Sequence, residues 1–329
     1  MNKSRLLGAV AGFCVLACGA AWSQPASTGS GQAYPAKPVR VVIVFAPGGA
    51  TDVVGRLAFQ KVGEQTAQQF VADNRAGASG TIGAAIVAKS PHDGYTLMVF
   101  STTFLASAHI YKSLPYNAMT DFVGITPVAR LVLMIAVHPS MPVRSVKDLI
   151  ALAKARPGEI SYGSAGVGAL QHLGTSLFSN DTHVKMIHVP YKGGAPASAA
   201  LAAGEIQMIF TPISEVYPHL QSKKVRPIAV SSPTRTTQFP DVPAIAETLK
   251  GFDFTSWMGT FAPAGTPRPI LEKLNAELKR AVADRDVASK LSNLTLDPMH
   301  MGLDEFAALL KAEDVKYEKI VKLSGARVD

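Results

Sequence analysis

The sequence predicts an α/β protein with two sheet-and-helix domains, and three observations support this class. Short β-branched runs repeatedly end in glycine turns that lead into helical segments, a rhythm typical of βαβ units with mainly parallel sheets flanked by helices. The length of 329 residues is enough for two domains. Hydrophobic residues make up 47% and charged residues 17%, a globular composition that excludes extensive disorder.

The first part of the chain repeats the strand–turn–helix unit. The predicted elements are strands at 39–45, 70–72 and 95–101, a helix that begins at Asp52 and a helix at 82–89. Glycine-rich loops end the first two strands, and a hydroxyl-rich segment ends the third. Both glycine loops lead into a helix, which is the connection that parallel strands require.

The second part of the chain continues in the same way. The predicted elements are strands at 131–138, 160–162, 185–189, 206–210 and 226–231, a helix from Ser145 to the Pro-Gly stop at 157–158, a helix near Gln171, and tail helices at 266–282 and 306–321. The loop 163–168 has glycine at three of its six positions and precedes the helix near Gln171.

The rhythm breaks at 126–130 and again at 255–263, which predicts that the chain passes between two domains there. The first domain is then discontinuous, with residues 34–127 plus 257–329, and the second covers 128–256. Ligands of open α/β sheets bind at the carboxyl ends of the strands, so two such domains facing each other predict a cleft.

The N-terminus has the features of an export signal. Lys3 and Arg5 precede an uncharged apolar run at 6–21, and a small-x-small cleavage motif ends at Ser23. A run of about 16 residues is shorter than the ~20 that a membrane-spanning helix needs. We therefore expect a signal peptide at 1–23, a flexible linker at 24–33 and export. The segment before Cys18 also resembles a lipobox, which leaves a lipid anchor at Cys18 as an alternative.

Several classes of function are excluded by composition or by missing motifs. The only cysteines are Cys14 and Cys18, so the mature chain has no disulfide framework, cysteine zinc site or cysteine nucleophile. The net charge of +8 is scattered rather than clustered, which argues against a nucleic-acid surface. Nucleophile-elbow, P-loop and HExxH motifs are missing, and we expect neither a metal, a cofactor nor an enzymatic activity.

The glycine loops are candidate anion sites. A glycine turn before a helix exposes backbone N–H groups at the positive end of the helix dipole, and it can hold a carboxylate or phosphate without a charged side chain. Hydroxyls that could assist include those of Ser101 and Thr102. Each loop could alternatively be only a tight connection. Asp52 would repel an anion if it faced the cleft, and we expect it instead to stabilise the start of its helix.

A set of short motifs carries a family resemblance. They include the segments that begin at Tyr34, Phe45, Asp73, Pro91, Tyr162, His188, Pro240 and Ala262, namely YPAKPVR, FAPGGATD, DNRAGASGTIG, PHDGYTL, YGSAG, HVPYKG, PDVP and APAGTP. In their order and spacing the chain resembles the Bug family, the substrate-binding proteins of tripartite tricarboxylate transporters. The resemblance runs from Tyr34 to Asp329.

The resemblance implies a fold, a location and partners. It implies a periplasmic two-domain binding protein of type II, a "Venus flytrap", that acts as a monomer without a cofactor. Such a protein captures a small organic carboxylate in the interdomain cleft and delivers it to the large and small membrane subunits of a tripartite tricarboxylate transporter. Two alternatives stay open: the same fold could act as a sensor for a membrane signalling partner, or the chain could be an α/β hydrolase or isomerase.

The resemblance also implies a set of ligand-binding residues. In the first domain these are Ala46, Gly48, Gly49, Ser79, Gly80 and Thr81, to which the hydroxyl argument adds Ser101 and Thr102. In the second domain they are Ser164, Ala165, Gly166, Tyr191, Lys192, Gly193 and Thr211.

Thr211 departs from the family pattern, because many relatives have aspartate there. We expect its side chain at the mouth of the cleft, and we expect Glu215, four residues on, at a solvated helix face. A cleft without an acid would leave a ligand ammonium group unpaired. These expectations together predict a ligand without an ammonium group.

Overall fold

The computed structural model describes residues 34–45, 47–48, 50–191 and 193–327, and from Tyr34 onward these belong to one compact unit. The signal peptide expected at 1–23, the linker at 24–33 and Cys18 lie outside the described residues, as do the predicted ligand-binding residues Ala46, Gly49 and Lys192. Within the described ranges, no helix combines the length and apolar character that crossing a membrane requires.

The strands form two sheets. The strands are β1 (Val39–Ile43), β2 (Phe70–Asn74), β3 (Thr96–Ser101), β4 (Phe122–Leu131), β5 (Leu133–Val137), β6 (Ser161–Ser164), β7 (Ile187–Pro190), β8 (Met208–Pro212), β9 (Arg226–Val230), β10 (Ser256–Pro263) and β11 (Leu296–Pro298). The first sheet has the order β11-β4-β10-β3-β1-β2, and the second has the order β7-β6-β8-β5-β9.

Helices flank both sheets. They are α1 (Ala50–Thr66), α2 (Thr81–Ala88), α3 (Thr103–Ile110), α4 (Val146–Ala155), α5 (Leu170–Thr182), α6 (Gly194–Ala203), α7 (Ile213–Gln221), α8 (Arg268–Ala283), α9 (Arg285–Asn293) and α10 (Leu303–Ser324). The sequence explains several boundaries: the Ser145 hydroxyl accepts a hydrogen bond from the Asp148 N–H at the start of α4, and Pro267 immediately precedes α8.

Both sheets are mixed, and the predicted α/β class is confirmed. β1 pairs in parallel with β2 and β3, and β6 pairs in parallel with β7 and β8. The antiparallel pairs involve β10 and β11 in the first sheet and β5 in the second. The glycine-loop rhythm of the sequence marks the parallel part of each sheet, because only parallel neighbours need a helical crossover.

The two segments that break the sequence rhythm are strands rather than irregular crossings. Residues 126–130 lie in β4 and 256–263 form β10, and these strands pair with each other antiparallel through two register shifts. Gly124 and Pro127 interrupt the β-branched pattern of β4, so the hydrophobic periodicity of the sequence does not identify this segment as a strand. Between β4 in the first sheet and β5 in the second, Val132 is the one intervening residue.

An aromatic cluster fills the core beside β10. The Phe104 ring lies 5.1 Å from Phe122 and 5.2 Å from Phe261, and Trp257 meets Phe306 edge-on at 5.1 Å between ring centroids. Edge-to-face and tilted aromatic pairs add stabilisation beyond the burial of their area. This cluster fixes α3 and α10 against the first sheet and so positions the residues that follow β3.

Candidate ligand-binding cleft

A cavity of about 760 Å³ lies where loops from both sheets meet. Its lining includes residues that directly follow β1 and β3 of the first sheet and β6, β7 and β8 of the second. These are the carboxyl ends of the strands, where open α/β sheets bind their ligands. The volume is within the range of small-molecule sites.

The first wall, which belongs to the first sheet, offers neutral groups. It includes Phe45, Thr51, Ser101, Thr103, Ser107 and Tyr111. The hydroxyls of Ser101 and Thr103 are 2.8 Å apart, and the Phe45 ring packs edge-on against Phe100. Hydroxyls beside an apolar surface suit the carboxylate and the hydrocarbon part of an organic acid.

Asp52 lies beneath this wall and points at its own loop. Its carboxylate accepts hydrogen bonds from the Gly48 N–H, from Nε of Arg56 and from Nδ2 of Asn74, each at 2.9 Å. Burial acts to raise the pKa of Asp52, but these hydrogen bonds and the Arg56 charge outweigh it and lower the pKa. The carboxylate therefore serves the loop and the helix start, as the sequence predicts.

The second wall, which belongs to the second sheet, contains an acid. It includes Ala165, Gln171, Gly193, Gly194, Ser214 and Glu215. Glu215 Oε2 accepts hydrogen bonds from the Thr211 hydroxyl at 2.5 Å and from Nε2 of Gln171 at 2.7 Å. Burial raises the pKa of Glu215, and the two hydrogen bonds offset this effect only in part.

This arrangement corrects two expectations about the second wall. Glu215 was expected on a solvated helix face, but its carboxyl group lies in the cleft. Thr211 was expected at the cleft mouth, but it is fully buried and its hydroxyl donates to Glu215. The reason is that β8 continues through Thr211, so α7 starts two residues later and turns its third residue back towards Gln171 of α5.

A histidine pair lies behind the glycine loop of the second wall. The rings of His172 and His188 stack 4.2 Å apart, and Nδ1 of His172 accepts a hydrogen bond from the Gly168 N–H. Burial and the neighbouring His188 lower the pKa of His172 to about 4, and burial also lowers the pKa of His188. Both rings are thereby held neutral near pH 7, and one of them orders the loop.

Ser164 contacts a histidine, but it is buried and does not line the cavity. Its hydroxyl lies 2.5 Å from Nε2 of His188, and it also bonds to the backbone N–H and C=O of Gly166. The Ser164 side chain is fully buried, so a substrate cannot reach it. The contact stabilises the loop between β6 and α5 and does not support hydrolysis.

The structure brings only part of the predicted site to the cavity wall. Ser101, Ala165 and Gly193 line the cavity. Thr102 is fully buried and bonds to Ser256 and Tyr317, which places its hydroxyl behind the wall rather than in it.

Other predicted groups are already engaged by the protein. The Gly80 N–H donates to Gly77, and the Thr81 hydroxyl donates to the Ala78 carbonyl. Ser164 and Gly166 bond to each other, and the Tyr191 N–H donates to the Ser164 carbonyl. Ligand contacts by Ser79, Gly80, Thr81, Gly166 and Tyr191 stay predictions.

Sequence reasoning missed the polar residues that lie in the first turns of helices. Thr51, Gln171 and Glu215 are the second, second and third residues of α1, α5 and α7. They follow the ends of β1, β6 and β8 by eight, seven and three residues, and the glycine loop before each of the first two helices is a signal that could have found Thr51 and Gln171. Nothing in the sequence shows that Glu215 turns inward. Within the part of the chain that the structure describes, no cluster of acids and histidines could hold a metal ion.

Comparison with known proteins decides the family. The family model described as "Tripartite tricarboxylate transporter family receptor" matches residues 54–325. The chain belongs to this family of receptors. BugT of Bordetella pertussis is 32% identical to this receptor over the full length of both proteins. A UPF0065 protein from the tcbD-tcbE intergenic region of Pseudomonas sp. strain P51 is 37% identical over 88% of this chain and 87% of that protein.

Solved structures confirm that the receptor has the two-domain type II fold. R. palustris Rpa4515 with adipate superimposes with a TM-score of 0.81 at 34% identity, covering 90% of this chain and 100% of that chain. MatC from Rhodopseudomonas palustris with bound malate gives 0.74 at 28% identity, covering 88% and 100%. The periplasmic binding protein BugD gives 0.77 at 30% identity, covering 89% and 99%. These homologues are solute-binding proteins rather than enzymes.

Proposed function

We propose that this receptor is a periplasmic solute-binding protein that captures a small organic carboxylate in the cleft and delivers it to the membrane subunits of a tripartite tricarboxylate-type transporter. The observation that carries the proposal is the cavity of about 760 Å³ between the strand ends of two sheets. Relatives of the same family were solved with adipate and with malate. The N-terminal signal features of the sequence support the location.

The first wall is the proposed carboxylate anchor. Thr51 and Thr103 lie in the first turns of α1 and α3, and Ser101 ends β3 two residues before α3, so a carboxylate beside these hydroxyls is also favoured by the helix dipoles. Asp52 does not oppose this, because its charge is neutralised by Arg56 and turned towards Gly48. The loops at Gly48-Gly49 and Ser79-Gly80-Thr81 are proposed to add backbone contacts.

The proposed domains follow the chain path. The strands of the first sheet come from 39–131 and 256–298, and those of the second come from 133–230. We assign residues 34–131 with 256–329 to one lobe and 132–255 to the other, so the first crossing lies four residues after the predicted boundary at 127/128 and the second lies one residue before the predicted boundary at 256/257. Ligand capture between them needs no covalent step, and the ligand is returned unchanged.

A thermal-shift screen tests this function. The mature protein is incubated with C3 to C8 mono-, di- and tricarboxylates and with aromatic acids. A true ligand at 100 times its dissociation constant should stabilise the fold by about 2.7 kcal/mol. Chromatography of the recovered ligand should show no conversion. A folded protein that binds none of these acids, or that converts one of them, would contradict the proposal.

A further inference from the structure

Glu215 stands apart from the rest of the cavity wall. Among the described residues that line the cavity, it is the one member of the Asp, Glu, Lys, Arg and His types. It is the third residue of α7, directly beyond the carboxyl end of β8. Its neighbours in the wall are small or apolar, such as Gly194, Ala195 and Pro196.

The carboxyl group of Glu215 is held in one orientation. Both of its protein donors, the Thr211 hydroxyl and Nε2 of Gln171, bond to the same oxygen, Oε2. A Cβ atom at Gly194 would lie 1.9 Å from Oε2 and 2.5 Å from Oε1, so the carboxyl group occupies the space that any side chain there would need. Gly194 therefore makes room for this acid at the start of α6.

The second carboxylate oxygen of Glu215, Oε1, is the one available to accept a hydrogen bond from a ligand. None of the described residues donates a hydrogen bond to Oε1 of Glu215. Oε1 can therefore accept a hydrogen bond from a ligand, and a charged acceptor makes stronger hydrogen bonds than a neutral one. A ligand group that donates a hydrogen bond gains this interaction, whereas a second ligand carboxylate adds repulsion.

We propose that Glu215 sets the ligand class of the cleft: it selects an acid whose far end presents a hydrogen-bond donor, a hydroxyl or an ammonium group, and it disfavours a dicarboxylate. The inference rests on the proposed function, because it takes one ligand carboxylate to be held at the first wall. It also replaces the expectation of a ligand without an ammonium group, which assumed that Glu215 lies on a solvated face.

Calorimetric titration with four matched series of probes tests the selection at pH 7.5. For each length from C4 to C8 the probes are the plain monocarboxylate, the ω-hydroxy acid, the ω-amino acid and the dicarboxylate. In the wild type, the best donor-bearing probe should bind at least tenfold more tightly than the dicarboxylate of equal length. Glu215→Gln should reduce that ratio by tenfold or more, about 1.4 kcal/mol, chiefly by improving dicarboxylate binding.

Two further variants complete the design. Glu159→Gln removes the same charge from an exposed acid that precedes β6, at the opposite end of that strand from the cleft, and should leave the ratio unchanged. Glu215→Met removes the charge without an amide and should also reduce the ratio, which keeps the test available if Glu215→Gln does not fold. Folding of each variant is checked by its unfolding midpoint.

The outcomes separate this inference from the function on which it rests. Carboxylate binding with equal ratios in the wild type and both Glu215 variants would overturn the selection and leave the receptor function intact. Weaker dicarboxylate binding in Glu215→Gln would also overturn it, since it would show that Glu215 donates a proton to a second carboxylate. A folded wild type that binds none of the twenty probes would overturn the inference together with the proposed function.

Discussion

The two walls of the cleft shift the pKa of a buried acid in opposite directions. Asp52 and Glu215 are each the third residue of a helix that follows a strand, so both lie near the positive end of a helix dipole. Asp52 gains a counter-charge from Arg56 and three donors, and its pKa falls. Glu215 gains two neutral donors, and its pKa rises. The groups that contact each carboxyl, and not its position in the helix, therefore decide the direction in which its pKa shifts.

Two buried histidines add to this difference between the walls. His172 and His188 lie behind the second wall, and burial lowers the pKa of both. The described residues at and behind the second wall thus give its ionisable groups no counter-charge, while the Asp52 charge at the first wall is paired with Arg56. We infer that pH and ligand charge act mainly through the second wall. Three measurements test this difference between the walls.

The largest effect is expected from protonation of His172. Its pKa of about 4 in the folded state lies below the ordinary value of 6.5, so its contribution to stability is present above pH 6.5 and is lost as the pH falls towards 4. At 1.36 kcal/mol per pKa unit this reaches about 3 kcal/mol, an upper value because solvent screens the loop. Urea unfolding at several pH values between 7 and 4 gives the free energy of unfolding of the wild type and of His172→Asn. The slope of this free energy against pH is then compared between the two proteins.

The control for this measurement is His92→Asn, which changes an exposed histidine outside the cleft. Asparagine at 172 retains an acceptor for the Gly168 N–H and removes the titration. The free energy of unfolding of His172→Asn should therefore fall less on acidification than that of the wild type or of His92→Asn. Parallel pH profiles for all three proteins would show that the second wall tolerates a buried imidazolium.

The contrast between the walls also shows what the sequence can predict. The strand–glycine–helix rhythm predicted the α/β class and the strand ends that meet at the cleft, because local chain geometry determines both. It missed that the segments around Thr126 and Thr260 are paired strands. Glycine, proline and two register shifts disturb their alternation, and their pairing partners lie more than 100 residues apart.

The site was predictable only where it follows directly from a strand end. Ser101 and Gly193, which were predicted from strand ends, line the cavity, and their ligand contacts stay predictions. Thr102 and Thr211 are buried instead, because a sequence does not show which residues around a strand end face the cleft and which face the core. Whether Glu215 faces solvent depends on Gln171 and Gly194, which are distant in sequence and make room for it only in the folded chain.

A smaller loss of stability is expected from Asp52→Asn. The change keeps the shape of the side chain but removes the charge that accepts from Gly48, Arg56 and Asn74. Hydrogen bonds to a charged group are worth about 1.5–3 kcal/mol, so we expect a loss of about 2 kcal/mol at pH 7. Because the folded-state pKa of Asp52 is lowered, this loss should shrink as the pH falls below the ordinary value of 3.8.

A matched control for Asp52 lies in another helix. Asp148 is in the first turn of α4, and it accepts a hydrogen bond from the Arg144 N–H while exposed to solvent. Asp148→Asn should cost clearly less than Asp52→Asn, since water replaces the lost interaction. If Asp52→Asn cost no more than Asp148→Asn in urea unfolding, the first wall would not be stabilised by its compensated charge.

The smallest effect, and one of opposite sign, is expected from Glu215→Gln in the protein without ligand. Burial raises the folded-state pKa of Glu215, so the folded chain binds a proton more tightly than the unfolded chain does. Stability is therefore lost as the pH rises from the ordinary value of 4.5 through the folded-state pKa, and the full penalty is present above it. Glutamine does not titrate, and its carbonyl oxygen can still accept from Thr211 and Gln171.

Urea unfolding at pH 7.5 should show Glu215→Gln to be as stable as the wild type or more stable, by up to about 1 kcal/mol. This difference in the free energy of unfolding should disappear at pH 4.5. A loss comparable with that of Asp52→Asn would mean that the Glu215 carboxylate is compensated after all, and the two walls would then differ in geometry but not in charge.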